Sequence, residues 1–173
     1  MRNFSLENAR LELQKIRKNK TVVLTAGTFD LIHPGHIAYL QFCKSRGDLL
    51  VVCVVGDKRT RRRKKAGRPI VKQEWRALIV STLKPVDLVF ISDRRPFEEE
   101  IIDTIRPDVV ITPSDEPSAE RKAEFASYLH TNYPEVKLIM RSRSSFRQNS
   151  STSNIIGKVQ RYISATKRRK IRG

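Results

Sequence analysis

The stretch TVVLTAGTFDLIHPGHIAYL, Thr21 to Leu40, carries what reads as a strand into what reads as a helix through a single corner. TVVLTA (21–26) is apolar on both faces, as a strand covered on two sides must be. From Gly35 to Gly47 the chain reads as a helix, with Ile37, Leu40 and Phe42 among its apolar positions and a glycine at its end. Between the two lie Gly27, Thr28, Asp30, the Pro34–Gly35 pair and two of the three histidines in the chain, His33 and His36. Gly27 lets backbone approach a ligand closely. Pro34 suits a first helical position, and Gly35 clears space beside it. Asp30 is expected to organise the corner by hydrogen bonds to backbone or to a ribose; an aspartate in a tight turn does the former without any ligand.

The same alternation continues outward from this corner. LLVVCVV (49–55), VDLVFI (86–91), PDVVI (107–111) and VKLIM (136–140) are further β-branched runs. Helix-length segments separate or follow them at 35–47, 72–83, 95–105, 118–132 and 151–167, and the third opens with proline and acidic residues that suit a helix N-terminus. Another helix precedes the first strand, capped by Ser5, with Leu6, Ala9, Leu13 and Ile16 on one face. The pattern predicts a Rossmann-like α/β fold: a five-stranded parallel sheet with helices on both faces, plus the N-terminal helix. It divides the chain into that helix (1–20), one domain (21–165) and a basic tail (166–173). In such sheets ligands bind at the carboxyl ends of the strands, near the switch in strand order. The opening corner lies at such an end.

The chain of 173 residues is long enough for one domain with a real core. No apolar run approaches a membrane span, and the first residues hold no signal-peptide core, so a cytoplasmic location is expected. Cys43 and Cys53 have no disulfide or metal-ligand spacing and read as small buried hydrophobes; with His130 far off, no zinc site is expected. The net charge of +17 gathers in KIRKNK, DKRTRRRKKAGR and ATKRRKIRG. It attracts polyanions. On charge alone, nucleic acid, anionic lipid and nucleoside triphosphate all remain open.

His33 and His36 stand about one turn apart at the start of the helix, where they can face one point. A helix N-terminus offers free N–H groups and a positive dipole end, which favours phosphate. Two imidazoles add donors. A triphosphate attacked at its α-phosphorus needs such donors, because negative charge grows on the non-bridging oxygens and the leaving pyrophosphate. An isolated histidine is better read as a cap or a core filler. Two of them, set in Gly-Thr-Phe-Asp and Pro-Gly at a strand-to-helix corner, point to phosphate.

GTFDLIHPGH resembles the HxGH signature of the cytidylyltransferase-like nucleotidyltransferases. The similarity runs through roughly residues 20 to 160. A lysine of the loop after the second strand matches Lys64, with Lys65 as the alternative. An arginine early in the next helix matches Arg76, which without a ligand reads as a surface salt bridge to Glu74 or Asp87. An S-T-[ST]-x-I turn matches STSNII, whose Thr152 and Ser153 hydroxyls also suit simple capping. The resemblance implies transfer of AMP or CMP from a nucleoside triphosphate to a small phosphomonoester. Its implied catalytic residues are His33, His36 and Lys64. Its implied nucleotide-binding residues are Thr25, Ala26, Gly27, Thr28, Phe29, Asp30, Gly35, Arg76, Ser151, Thr152 and Ser153. The acceptor phosphate attacks in line and pyrophosphate leaves with Mg²⁺, held mainly by the triphosphate and by no protein metal site. A homodimer is implied as well.

The heptose 1-phosphate adenylyltransferase domain, archaeal FAD synthetase and glycerol-3-phosphate cytidylyltransferase are the relatives it resembles. ITPSDEPSAERK (111–122) departs from them: Thr112 stands at a lysine position, Pro113 and Ser114 replace glycines, and Asp115 keeps the acid. Thr112 and Asp115, with Arg141, Arg143 and Arg147, are the acceptor-binding candidates. The rival reading is a nucleotide- or nucleic-acid-binding protein without transferase activity. Residues 58–65 and the tail would grip a nucleic-acid backbone, although the runs lack interleaved aromatics for stacking. The tail could also lie against an anionic membrane surface.

Overall fold

The computed structural model describes residues 3–63, 67–114, 119–146 and 152–171. Its five strands are β1 (Val22–Gly27), β2 (Leu49–Val55), β3 (Leu88–Ser92), β4 (Val109–Pro113) and β5 (Lys137–Arg141). They form one sheet in the order β3-β2-β1-β4-β5, with every neighbouring pair parallel. The chain builds outward from β1 to β3, then returns to place β4 on the other side of β1. The switch in order therefore falls between β1 and β4, where Thr25 pairs with Ile111.

The helices are α1 (Leu6–Ile16), α2 (Pro34–Lys44), α3 (Asp57–Arg63), α4 (Gln73–Ser81), α5 (Glu99–Ile105), α6 (Ala119–Asn132) and α7 (Thr152–Ile171). A short 3-10 turn spans Arg143–Phe146. Alternation along the strands sends side chains to two cores. On one face Leu24, Val51, Cys53 and Val110 meet α1 through Ala9 and Leu13, and α5 through Ile101, Ile102 and Ile105. On the other, Val23, Leu50, Val52 and Ile111 meet α2 through Leu40 and Cys43, and α4 through Ala77 and Val80. The doubly covered parallel sheet is the one the apolar runs predict. Burying each such aliphatic side chain contributes about 1.5–3 kcal/mol.

Three aspartates fasten the amino edge of the sheet. Asp108 Oδ2 accepts from Val22 N at 2.7 Å and Asp48 Oδ2 from Thr21 N at 2.9 Å. Asp87 Oδ2 accepts from Leu50 N at 2.6 Å and pairs with Lys44.

Several boundaries differ from the sequence reading. Strands β3, β4 and β5 start one or two residues later than expected. α2 ends at Lys44 and α4 runs only over Gln73–Ser81. The helix expected from 95 starts at Glu99, because Phe97 takes a left-handed backbone (φ 69°) and Glu98 becomes the cap. Residues 57–63, read as basic loop, form α3, and the basic residues from 166 continue α7 to Ile171.

Candidate functional site

β1 delivers the chain to the carboxyl edge of the sheet at Gly27. Phe29 then takes a left-handed conformation (φ 49°), uncommon for a bulky residue, which turns the backbone sharply. Its ring is buried and lies over Gly27, where a β-carbon would sit 2.7 Å from it. His33 is the extended N-cap of α2 (φ −147°), and Pro34 occupies the first turn. The two imidazoles come together: the His33 and His36 rings lie 3.9 Å apart between centroids, tilted by 35°. Phe29 backs His36 at 5.4 Å. Both histidines are half-buried at the N-terminus of α2. Their rings meet at the positive end of the helix, one turn apart in sequence.

Gly35 is enclosed. A β-carbon there would lie 2.9 Å from the Phe146 carbonyl oxygen and 3.0 Å from the His33 ring. The 3-10 turn before α7 thus packs directly on the start of α2. Thr152, the first residue of α7, donates its hydroxyl to the Leu31 carbonyl at 3.4 Å. Ser153 is exposed in the same first turn. The starts of two helices therefore converge on the corner that follows β1.

Asp30 is almost wholly buried. Its Oδ1 accepts from the amides of Ile70 (2.8 Å) and Val71 (3.0 Å), and Arg68 Nε lies 2.5 Å from Oδ2 as an ion pair without hydrogen-bond alignment. Asp30 thus organises the corner by fastening the loop before α4 to it, through backbone and a cation.

Arg76 lies elsewhere than the sequence suggests. It pairs with neither Glu74 nor Asp87 and is not at the surface: its side chain is 0% exposed and Nη2 meets Asp57 Oδ1 at 2.7 Å. Nε donates to Val71 O (2.9 Å), and Nη1 donates to Val55 O (2.9 Å) and to Thr28 O. Four of its five N–H donors are thereby used inside the protein. Thr25 is equally interior. Its hydroxyl donates to Ile111 O at 2.8 Å and meets Tyr39 Oη at 2.7 Å, so it ties β1, β4 and α2 together. Ala26 is buried; Gly27 and Thr28 are partly exposed at the mouth.

Among the acceptor candidates, Thr112 sits partly exposed near the end of β4, opposite Met140 of β5. Pro113 lacks an N–H, and the ladder is carried on by Ser114 N donating to Arg141 O at 2.9 Å. The Arg141 guanidinium stacks on Phe42, 5.4 Å from its centroid, on the flank of α2 beside Arg46. That places it against α2's last turn instead of the histidine pair at its start. Lys64, Lys65, Asp115, Arg147 and Ser151 lie outside the described residues, as does the side chain of Arg143. Among the described residues no group of three His, Cys, Asp or Glu side chains could hold a metal ion. Both cysteines are free and buried.

Sequence reasoning missed Asp57, Arg68 and the carbonyls that Arg76 holds. The only signal for Asp57 was an acid opening a run of basic residues.

Residues 24–171 match the family model described as cytidylyltransferase-like. The chain is similar to the bifunctional protein HldE of Wolinella succinogenes, 39% identical over 158 residues, 88% of this chain and 31% of that protein. It is similar to the FAD synthase of Archaeoglobus profundus, 39% identical over 102 residues, 59% of this chain and 63% of that protein. The chain thus spans about a third of the length of the HldE protein. Among solved structures, the lipopolysaccharide core biosynthesis protein from Thermoplasma volcanium matches with a TM-score of 0.62 at 31% identity, over 72% of this chain and 98% of that chain. Pantoate-beta-alanine ligase from Francisella tularensis shares the fold alone, with 12% identity and a TM-score of 0.55 over 80% of this chain and 65% of that chain. With the model matched from within β1 to the last residue of α7, the chain belongs to the cytidylyltransferase-like family.

Proposed function

We propose that this protein transfers a nucleoside monophosphate from a nucleoside triphosphate to a small phosphomonoester and releases pyrophosphate. The observation that carries the reading is the contact between the His33 and His36 rings at the N-terminus of α2, beside the switch in strand order. Two imidazoles at the positive end of the helix supply donors toward one point; the His36 and Ile37 amides are spent on His33 O and Pro34 has no N–H, so the side chains carry that role. Aimed at the α-phosphate, they stabilise the charge that builds as the bond to pyrophosphate breaks. An acceptor phosphate is already an anion at neutral pH. No general base is required, and catalysis reduces to positioning and charge stabilisation.

Thr152 and Ser153, at the start of α7, lie where a second helix N-terminus can hold the remaining phosphates. The donor is taken as its magnesium complex, in which the metal offsets charge on the leaving pyrophosphate. Asp30 is engaged by Ile70, Val71 and Arg68, so we assign it to holding the corner, with the metal carried by the triphosphate. ATP is the donor we favour. The support is that two of the similar proteins are HldE and an FAD synthase, both in the adenylyl branch that the sequence resembles. The acceptor is a sugar or flavin phosphate.

The test starts with thermal shifts under ATP, CTP, GTP and UTP, each with Mg²⁺, because binding to the native state raises the midpoint by mass action. Pyrophosphate release is then followed with sugar, polyol and flavin phosphates. ATP is expected to give the largest shift. His36→Ala is expected to lower turnover by at least about 10²-fold, the scale of losing one preorganised donor. A CTP-selective shift would move the donor to the cytidylyl branch. Normal turnover by His36→Ala with a confirmed acceptor would remove the histidines from the mechanism.

A further inference from the structure

We propose that Arg76 is a positioning residue for His36, acting through the Thr28–Phe29 peptide and the Phe29 ring, and that it makes no contact with substrate. The inference rests on the role proposed above for the histidine pair, but its main readout needs no substrate.

The argument follows a chain of contacts. Arg76 is held from four directions: Val55 at the end of β2, Asp57 at the start of α3, Val71 before α4, and Thr28 in the corner. Its burial is complete. A guanidinium so enclosed cannot swing out to a phosphate without abandoning the partly buried Asp57 carboxylate and three carbonyls. What it can do is fix the Thr28 carbonyl. That carbonyl belongs to the peptide leading into Phe29, whose φ of 49° is the left-handed region that costs a bulky residue most. The hydrogen bond from Nη1 helps hold the peptide in that orientation. The turn in turn sends the Phe29 ring over Gly27 and to within 5.4 Å of His36. His36 lies 3.9 Å from His33. Nothing in this series is reversible by a lysine: an ammonium can pair with Asp57, but it lacks the planar fork that serves three carbonyls at fixed angles.

The variants are Arg76→Lys, which keeps the charge against Asp57, and Phe29→Leu, which acts one step further along and leaves Arg76 in place. The first readout is the imidazole ring signals in the nuclear magnetic resonance spectrum of the protein alone. The chain has three histidines, so the signals are assignable, and His130 on α6 serves as the internal control. Arg76→Lys is expected to move the His36 ring signals and leave those of His130 in place. A role in global stability alone would move neither in the folded protein. The second readout is kinetic. Arg76→Lys is expected to lower kcat by about 10²-fold, the loss a misplacement near 1 Å can cause, with KM for the triphosphate changing little. Phe29→Leu is expected to act in the same sense, and the double variant to lose less than the product of the single losses.

Unmoved His36 signals in folded Arg76→Lys would overturn the proposal, as would losses that multiply. So would a loss confined to nucleotide affinity that grows from nucleoside monophosphate to triphosphate, the mark of direct phosphate contact. If no acceptor supports turnover but the His36 signals move, the positioning stands and the transferase reading is what has failed.

Discussion

At Gly35 the helix start leaves no room for a methyl group. The added carbon would meet the Phe146 carbonyl, which is backbone and cannot rotate away, and the His33 ring. Helix propensity favours alanine over glycine by about 1 kcal/mol. Overpacking costs about 1–3 kcal/mol, so it wins here. Gly35→Ala is expected to lower the urea midpoint and to reduce turnover further than its stability loss explains, because relief of the clash displaces His33. Thr25→Val separates the two roles that the corner could give a side chain. The Thr25 hydroxyl faces Ile111 and Tyr39 inside the protein. Its removal is expected to cost about 1–2 kcal/mol, since it leaves the Ile111 carbonyl less well served. KM for the triphosphate should stay at the wild-type value in the same variant. A raised KM with unchanged stability would return Thr25 to the binding surface.

Among the elements, β1 and β2 were legible because both are buried along almost their whole length and read as unbroken apolar runs. α3 was not legible for the converse reason. It buries Thr60 and otherwise shows charge, so no apolar period marks it as helix. Charged residues are good helix formers, but propensity without a buried stripe is a weak signal. The histidine pair could be read because its spacing is local. Arg76 could not, because its acceptors lie 5, 19, 21 and 48 residues away and only folding brings them to one guanidinium. The cysteines were legible from their place in apolar runs. Burial pushes both thiols up to about 12. Cys53 lies within β2 and Cys43 in the last turn of α2, so neither can ionise without opening the sheet or its covering helix. Ellman's reagent at pH 8 is therefore expected to label neither thiol in the native state and both in urea. Rapid labelling of Cys43 alone would mean that α2, and with it the histidine pair, opens locally.

Over the whole molecule the dominant physical quantity is a net charge of +17. It is not spread evenly. α3 presents exposed Arg61, Arg62 and Arg63 beside the carboxyl edge of β2, the edge on which the histidines lie. From Val136 to the end the chain has no acidic residue. Such a field draws in a triphosphate from solution before any contact forms, and salt screens it, with a Debye length of about 8 Å at physiological ionic strength. A steering role predicts that kcat/KM for the triphosphate falls several-fold from low salt to about 0.15 M, with kcat nearly constant. Arg62→Gln should flatten that slope without touching kcat; Arg61 is left in place because its Nη2 lies 3.7 Å from Asp57 Oδ2, the carboxylate that holds Arg76. The alternative use of the charge makes the opposite prediction. If the basic surface serves a nucleic-acid backbone, RNA affinity carries the steep salt slope of counterion release and the triphosphate kinetics stay flat. Measuring both slopes on one preparation decides between them, since a single set of arginines cannot leave the triphosphate unsteered and still account for its capture.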